Sequence, residues 1–456
     1  MLLYSKLNRY LFSKMKKYSS YKDPEIKWIG NIPEHWNVIR SRFVFNIVSG
    51  NGFPEDLQGK SSGDYPFYKC SDINFNSVFA DQANNYVDET DVRDNKWSII
   101  PQGSIIFAKI GEALKKNHRK INSSDCLIDN NMMAVVLKDA SSSIKYYYFL
   151  MCLIKMEWFV NPGAVPSVDV SKFRSFFIPR IDTDEQKRIE CYLDRKTTQV
   201  DSLIDKKERM IELLKEERAA IINKTVTKGL DPSVEMKNSG IEWLGKVPKH
   251  WGIKKLQYLG RFQNGISESS EYFGSGYPFI SYGDVYNNMA LPDKITGLAQ
   301  SSDEERRRMS VKEGDTFFTR TSETIDEIGI SSVCIRSIKD AVFSGFLIRF
   351  RPSTHLLTKE FSKYYFRSIV TRKFFVKEMN IVTRASLAQD LLKKLPVLLP
   401  SFLEQKEIFE YLENKSNQID TQIFREQKLI KLLKEYRTAL ISEVVTGKID
   451  VREYVA

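Results

Sequence analysis

The strongest constraint in this sequence is a stretch of about 47 residues that occurs twice. Glu185 to Asp231 aligns without a gap with Glu404 to Asp450, and roughly twenty aligned positions are identical. A match of this length and register indicates internal duplication, because shared composition alone does not produce it. The sequence therefore predicts a chain built from two related halves.

Each copy has the pattern of a long amphipathic helix. Apolar residues recur three and four positions apart, and in the first copy no Pro or Gly interrupts them before Gly229. A helix of about 44 residues is about 65 Å long, which is more than a globular domain needs internally. We expect the two copies to pack on each other as an antiparallel coiled coil that acts as a rod; the alternative is that each copy packs on its own half as ordinary core. The residues expected to form the packed stripes are Leu193, Val200, Ile204, Ile211 and Leu214 in the first copy and Leu412, Ile419, Ile423, Ile430 and Leu433 in the second.

A second duplicated segment runs from Ile26 to Trp36 and again from Ile241 to Trp251. Two Trp and one Pro in eleven residues predict a compact aromatic turn that anchors a domain to its neighbour. His35 and His250 lie in these segments without Cys or carboxylate partners at metal-binding spacing, so packing is the expected role.

Between these segments each half has a mixed pattern. Short β-branched or aromatic runs, among them Trp97 to Ile100 and Met133 to Leu137, are bounded by Gly, Asn and Asp, and apolar helical segments follow. The predicted fold class is α/β, with two pseudo-repeated α/β domains and two long helices packed as an antiparallel coiled coil. The predicted division is a basic N-terminal extension at 1–22, a first domain at 23–183, a first long helix at 184–232, a second domain at 233–402, a second long helix at 403–450 and a C-terminal tail at 451–456.

The basic N-terminal extension has two interpretations. It holds six Lys or Arg residues and no acid. Either Met15 is the true start and residues 1–14 are an upstream extension, or the segment is a short basic amphipathic helix.

The formal net charge of +11 proves little about partners, because much of it lies in the N-terminal extension and in mixed-charge helices. Local basic clusters in the divergent loops carry more information. Lys and Arg beside Asn, Gln and hydroxyl groups suit phosphate contacts and base-edge hydrogen bonds in double-stranded DNA, although a single cluster is more often a solvated surface. The residues predicted to contact DNA are Lys69, Lys109, Lys115, Lys116, Arg119 and Lys120 in the first half and Arg306, Arg307, Arg308, Arg320 and Arg384 in the second.

Several function classes lack their sequence signals. There is no apolar run of membrane-spanning length, and the five scattered Cys residues form no CxxC pair, which favours reduced thiols, a cytoplasmic protein and no zinc site. There is no GxxxxGK[ST], GxGxxG or HExxH motif, and no methyltransferase-type Asn-Pro-Pro-Tyr. Asp182 and Asp184 before Glu185 could suggest a nuclease, but the second copy has Ser401 and Leu403 at those positions, so a first helical turn rich in acids explains them better. No catalytic residue, metal or cofactor of this chain's own is predicted.

Together these features resemble the specificity (S) subunit of type I restriction-modification systems. The resemblance covers nearly the whole chain after Met15. It rests on the two tryptophan segments and on the proline-led Glu-Gln-Lys start of each long helix, although Pro179 lies two residues further from its helix than Pro400 does.

The resemblance implies a non-catalytic chain whose two recognition domains each read one half of a bipartite, asymmetric DNA site. It implies that the paired helices set the spacer and dock two modification subunits. S-adenosylmethionine, ATP and Mg would then serve the modification and restriction subunits of the endonuclease and adenine methyltransferase complex. The alternatives are a recognition chain of a differently organised methyltransferase or nuclease system and a tandem scaffold for protein partners, which would show no salt-sensitive DNA affinity.

Overall fold

The chain divides into two compact units in the computed structural model, which describes residues 12, 14–74, 77–161, 163, 165–268, 270–322, 327–378 and 385–454. Unit 1 comprises Met1–Lys206 and Leu429–Ala456, and unit 2 comprises Lys207–Lys428. Each unit therefore holds one α/β domain together with part of each long helix.

Unit 1 is built on short strands that the chain connects through turns and short helices. Its strands are β1 (Tyr21–Lys22), β2 (Ile32–Pro33), β3 (Asn37–Arg40), β4 (Phe45–Ser49), β5 (Tyr65–Tyr68), β6 (Phe79–Ala80), β7 (Tyr86–Val87), β8 (Ile105–Ala108), β9 (Arg119–Asn122), β10 (Leu127–Ile128), β11 (Met132–Leu137), β12 (Val160–Asn161), β13 (Ser167–Val168) and β14 (Phe177–Arg180). Its helices are α1 (Glu89–Asp94), α2 (Glu112–Lys115), α3 (Ile144–Leu153), α4 (Val170–Ser175) and the first part of α5 (Thr183–Lys228).

The main sheet of unit 1 has the order β4-β11-β8-β9-β6. Its pairs are antiparallel except for β6 with β9, and β5 lies parallel to β10 in a separate three-stranded sheet. The run from Trp97 to Ile100, predicted as a strand, is not one: Ile100 makes a single isolated bridge to Cys126.

Unit 2 repeats this plan. Its strands are β15 (Met236–Asn238), β16 (Lys246–Pro248), β17 (Gly252–Lys255), β18 (Gly260–Asn264), β19 (Phe273–Ile280), β20 (Leu298–Ala299), β21 (Thr316–Thr319), β22 (Thr321–Ser322), β23 (Ser331–Val333), β24 (Val342–Phe343), β25 (Leu347–Pro352), β26 (Ala385–Ser386) and β27 (Pro396–Leu399). Its helices are α6 (Tyr282–Asn287), α7 (Asp303–Arg308), α8 (Lys359–Tyr365), α9 (Ile369–Glu378), α10 (Gln389–Lys393) and most of α11 (Phe402–Val445). The sheet order β18-β25-β21-β23 matches β4-β11-β8-β9 of unit 1, and β19 lies parallel to β24 as β5 does to β10.

The two long helices run antiparallel where they pair. In unit 2, Lys207 lies 3.1 Å from Glu426, and Arg218 lies 2.6 Å from Asp420, so the partner number falls as the α5 number rises. Nine of the ten residues predicted for the packed stripes are buried, and Leu433 is half-buried.

The start of α5 also belongs to the core of its own domain. Ile189 and Leu193 share one apolar cluster with residues of the first α/β domain and with Leu440 and Val444 near the end of α11. The apolar stripe is long enough to contact both the partner helix and the α/β domain. Coiled-coil packing and packing on the helix's own half, which the sequence leaves as alternatives, therefore occur together.

A buried glutamine near the start of each long helix holds the α/β domain to that helix. In unit 1 the Gln186 side chain donates to Ile181 O at 3.1 Å and accepts from Ser143 N at 2.8 Å. Ser143 caps α3, so this amide satisfies a helix-end N–H that is shielded from water. Gln405 repeats the arrangement in unit 2, where it accepts from Thr358 N, the cap of α8, at 2.9 Å.

The glutamate that precedes each glutamine binds the tryptophan segment. Glu185 is buried and accepts from Tyr18 at 2.6 Å, and its other oxygen lies 2.9 Å from His35 Nε2. Glu404 accepts from Trp251 Nε1 at 2.9 Å and lies 3.0 Å from His250. The histidines therefore have carboxylate partners, which the local spacing could not reveal because they lie about 150 residues away.

The helices end on glycines that lie against the same segments. Gly229 and Gly447 both have positive φ, the conformation favoured at a helix C-terminus. A Cβ added at Gly447 would lie 2.4 Å from Pro33 and 3.0 Å from Trp36, and one at Gly229 would lie 3.4 Å from Trp251. Each tryptophan segment therefore meets the start of one long helix and the end of the other.

We expect Gln186→Ala to destabilise unit 1 by about 1–3 kcal/mol, because it leaves the buried Ser143 N–H without an acceptor. Urea unfolding followed by circular dichroism measures the change. Gln199→Ala, at an exposed position on the same helix, is the matched control. Equal effects of the two substitutions would contradict the structural role of Gln186.

Candidate nucleic-acid interface

Each unit has a set of equivalent loops whose exposed side we call the variable edge of that unit. Corresponding backbone hydrogen bonds recur in the two units, and most of the side chains differ. The variable edge consists of Lys69, Lys109, Asp129 and Asn131 in unit 1 and of Ser281, Arg320, Ser344 and Phe346 in unit 2.

In unit 1 the edge is centred on Lys109, which follows β8. Its N–H donates to Asn131 O at 2.8 Å, and its carbonyl accepts from Val168 N at 2.9 Å. Asn131 N donates to Asp129 Oδ1 at 2.9 Å, which fixes the turn between β10 and β11. Asn131 is exposed at the tip of this turn.

The charged groups of this edge influence one another. Burial raises the pKa of the Asp129 carboxyl, and the hydrogen bonds from Asn131 and the Lys69 cation oppose that shift. Burial lowers the pKa of Lys109, and Asp129 opposes it. A lysine that has lost part of its hydration gains more from an approaching anion than a fully solvated one does.

In unit 2 the same hydrogen bonds recur around Arg320, which follows β21. Its N–H donates to Phe346 O at 2.8 Å, and its carbonyl accepts from Leu387 N at 2.7 Å. Phe346 N donates to Ser344 Oγ at 3.2 Å, in place of the aspartate bond of unit 1. The Phe346 side chain is 61% exposed.

Lys69, which follows β5 in unit 1, corresponds to Ser281, which follows β19 in unit 2. Lys69 N donates to Asp72 Oδ2 at 2.7 Å, and Ser281 N donates to Asp284 Oδ2 at 2.8 Å. The Lys69 ammonium is partly committed within the unit, since it donates to Gln58 at 2.6 Å.

Two predicted DNA contacts in unit 1 are wrong. Arg119 and Lys120 lie in β9, inside the main sheet, and their side chains are buried. Arg119 donates to Ile154 O at 2.7 Å, and burial lowers its pKa to about 10. Lys120 donates to Ser77 O. The cluster of charges predicts a loop, but antiparallel pairing with β8 makes Arg119–Asn122 a strand.

The remaining predicted cations have mixed surroundings. Lys115 and Lys116 are exposed, and Lys115 pairs with Glu112 at 2.6 Å. Arg307 and Arg308 are exposed, whereas the Arg306 side chain is only 12% exposed. The Arg306 guanidinium lies over the Tyr277 ring at 3.7 Å and is bonded to Ser301 and Asp303, so it serves the fold of unit 2. Arg384 lies outside the described residues.

Sequence reasoning missed Asn131 and Phe346. Neither is basic, and the two positions correspond only when β11 and β25 are aligned through the sheet order. The alignment of Gly103–Lys109 with Gly314–Arg320 identifies Lys109 and Arg320 as equivalent positions. It does not show which residues of the neighbouring strand lie beside them.

The described residues contain no helix that is long and apolar enough to cross a membrane. Within the same part of the chain, no group of three or more His, Cys, Asp or Glu side chains is arranged to hold a metal ion.

Two domains with one backbone plan and unlike exposed side chains define a tandem recognition protein. A family model described as the type I restriction modification DNA specificity domain matches residues 33–213 and 248–432. The chain therefore belongs to the family of type I restriction-modification DNA specificity subunits, the non-catalytic chains that give such systems their DNA sequence specificity.

Similar proteins agree with this assignment over most of the chain. The MjaVIII specificity subunit of Methanocaldococcus jannaschii is 23% identical over 95% of this chain and 97% of its own length. The EcoKI specificity subunit of Escherichia coli is 26% identical over 62% of each chain.

Solved structures share the fold. A chain from a structural study of complex assembly and conformational transition of the type I R-M system has a TM-score of 0.68 and 13% identity, over 91% of this chain and 98% of its own. The HsdS subunit of Thermoanaerobacter tengcongensis has a TM-score of 0.50 and 14% identity, over 92% and 98%.

If Lys109 and Arg320 contact phosphate, as the sequence predicts, Lys109→Met and Arg320→Met should each weaken binding to all duplexes, because each removes one cation. The slope of log affinity against log salt should fall by about one for each substitution. Fluorescence anisotropy across a salt series measures it. Lys138→Met, at an exposed position away from the edge, is the control, and an equal slope change in that variant would contradict the assignment.

Proposed function

We propose that each unit reads one half of a bipartite, asymmetric double-stranded DNA site through its variable edge. The observation that carries this proposal is the repeated set of backbone hydrogen bonds around Lys109 and Arg320, with Asn131 in one unit and Phe346 in the other. A rigid backbone that presents unlike side chains suits two domains that do one task on two different sequences.

The cations of the edge suit the backbone of DNA, and its variable positions suit base edges. Lys109 and Arg320 keep a positive charge at equivalent positions, as phosphate contacts require whatever the sequence. Asn131 and Phe346 differ in hydrogen bonding and polarity, as sequence reading requires.

The paired helices, in this proposal, set the spacer between the half-sites and dock two modification subunits. The support is that α5 and α11 carry exposed apolar side chains beyond the buried stripe. In unit 2 these are Met210, Leu213 and Phe424, which are 40%, 44% and 66% exposed. Exposed apolar side chains that form a contiguous patch mark an interaction site, and Met210 and Leu213 lie one helical turn apart.

The chemistry of the complex then belongs to its other chains. Two modification subunits would use S-adenosylmethionine to methylate adenine, and restriction subunits would use ATP and Mg for translocation and cleavage. This chain would supply the sequence specificity in the cytoplasm, where the host DNA lies.

We expect a four-residue insertion in both helices, after Lys206 and after Lys428, to lengthen the recognised spacer by about one to two base pairs. One helical turn adds about 6 Å, and a base pair rises about 3.4 Å. Matched insertions keep the antiparallel helices in register. Single-molecule sequencing of a host that expresses the variant with its modification subunit reads the methylated motif.

A control variant carries the same four residues as substitutions, so that composition changes and length does not. The proposal predicts unchanged half-sites and a longer spacer for the insertion alone. Altered half-site bases, or an unchanged spacer in an active variant, would contradict it.

A further inference from the structure

The turn that follows β10 in unit 1 and β24 in unit 2 has an exposed residue at its tip, and the backbone of that residue is held in the same way in both units. Its carbonyl accepts from the basic residue, and its N–H donates to a side chain two residues earlier. The backbone at the start of the same turn is approached closely by the end of another strand, β4 in unit 1 and β18 in unit 2.

That close approach depends on a glycine in each unit. A Cβ added at Gly50 would lie 1.8 Å from Asp129 O, and one at Gly265 would lie 2.2 Å from Ser344 O. Both contacts are far shorter than any real Cβ contact, so each strand can lie against its turn only because it carries Gly there. Both units therefore use a glycine to keep the backbone of the turn in place, while the side chain at the tip of the turn differs between them.

The side chains at the two tips suit different chemical groups on the base edges of DNA. The Asn131 amide donates one N–H to the Asp129 carboxylate. Its second N–H and its oxygen remain as a donor and an acceptor, which match N7 and the N6 amino group of adenine. The Phe346 ring offers only an apolar surface, which matches the C5 methyl group of thymine. An exposed aromatic alone is ordinary, but this one occupies the position of Asn131 beside a cation that both units keep.

We propose that Asn131 and Phe346 are specificity-determining residues: Asn131 reads an adenine in the half-site of unit 1, and Phe346 reads a thymine methyl in the half-site of unit 2. This inference rests on the proposed function, because it requires each unit to read its own half-site. It goes further by assigning one position and one base feature to each unit.

The test uses the complex with its modification subunits and duplexes that carry its mapped motif. In one series each thymine is replaced in turn by uracil, which removes only the methyl group. In the other series each adenine is replaced by 7-deazaadenine, which removes only the N7 acceptor. Competition binding gives the affinity of each duplex relative to the natural one.

For wild-type protein we expect one thymine in one half-site at which uracil lowers affinity about fourfold. We expect one adenine in the other half-site at which the loss of N7 lowers it by at least about fivefold. Phe346→Ala should abolish the first effect and leave the second, and Asn131→Ala should do the reverse. Tyr258→Ala, which removes a 65% exposed ring elsewhere in unit 2, should leave both.

For each protein variant, the affinity for a modified duplex is compared with the affinity for the natural duplex. A variant that binds all duplexes more weakly therefore still shows whether it is sensitive to a given replacement. Variants that keep the wild-type pattern of sensitivities would overturn the inference, as would a wild-type complex insensitive to every replacement in either series. A wild-type complex with no bipartite motif would instead contradict the proposed function itself.

Discussion

The structure depends on two adjacent side chains at the start of each long helix. The amide of Gln186 joins its helix to the cap of α3, and the carboxylate of Glu185 joins the same helix turn to Tyr18 and His35. Gln186, Ser143, Glu185 and Tyr18 are buried, so a broken bond among them would leave a polar group with a desolvation cost. The pair therefore fixes the angle at which an α/β domain leaves its helix.

The duplication of these contacts explains why the chain works as two equivalent units. Gln405 repeats the hydrogen bond of Gln186 to a helix cap, and Glu404 lies against His250 as Glu185 lies against His35. Glu404 accepts from Trp251, whereas Glu185 accepts from Tyr18. Gly447 brings the end of α11 to Trp36, as Gly229 brings the end of α5 to Trp251. Each unit therefore needs the start of one helix and the end of the other, although these segments lie far apart in sequence.

The main architecture could be predicted from the sequence because it rests on periodicity and repetition. A stripe of apolar residues from Leu193 to Leu214, present twice, defines two long helices whatever surrounds them. The antiparallel packing of α5 and α11 and the two α/β domains of the predicted fold class are present in the structure.

The site was less predictable, because it depends on contacts between segments that no local pattern connects. The sequence predicts Arg119 and Lys120 as cations that contact DNA, but their neighbours on the sheet bury them, and both make hydrogen bonds within the unit. Asn131 and Phe346 are equivalent through their backbone hydrogen bonds to Lys109 and Arg320, which no local sequence pattern predicts. Charge in the sequence does not by itself show which cations reach the surface, and both the exposed cations and the residues beside them depend on positions that the fold sets.

The most direct test of the account is an exchange of one domain between family members. The exchanged segment, residues 40–180, runs from the last residue of β3 to the last residue of β14, and these two strands pair antiparallel with Arg40 opposite Phe177. The chimaera is expressed with the modification subunit, and the methylated motif is mapped by single-molecule sequencing. The account predicts that one half-site changes while the other half-site and the spacer stay the same. A change in both half-sites would contradict independent reading by the two units.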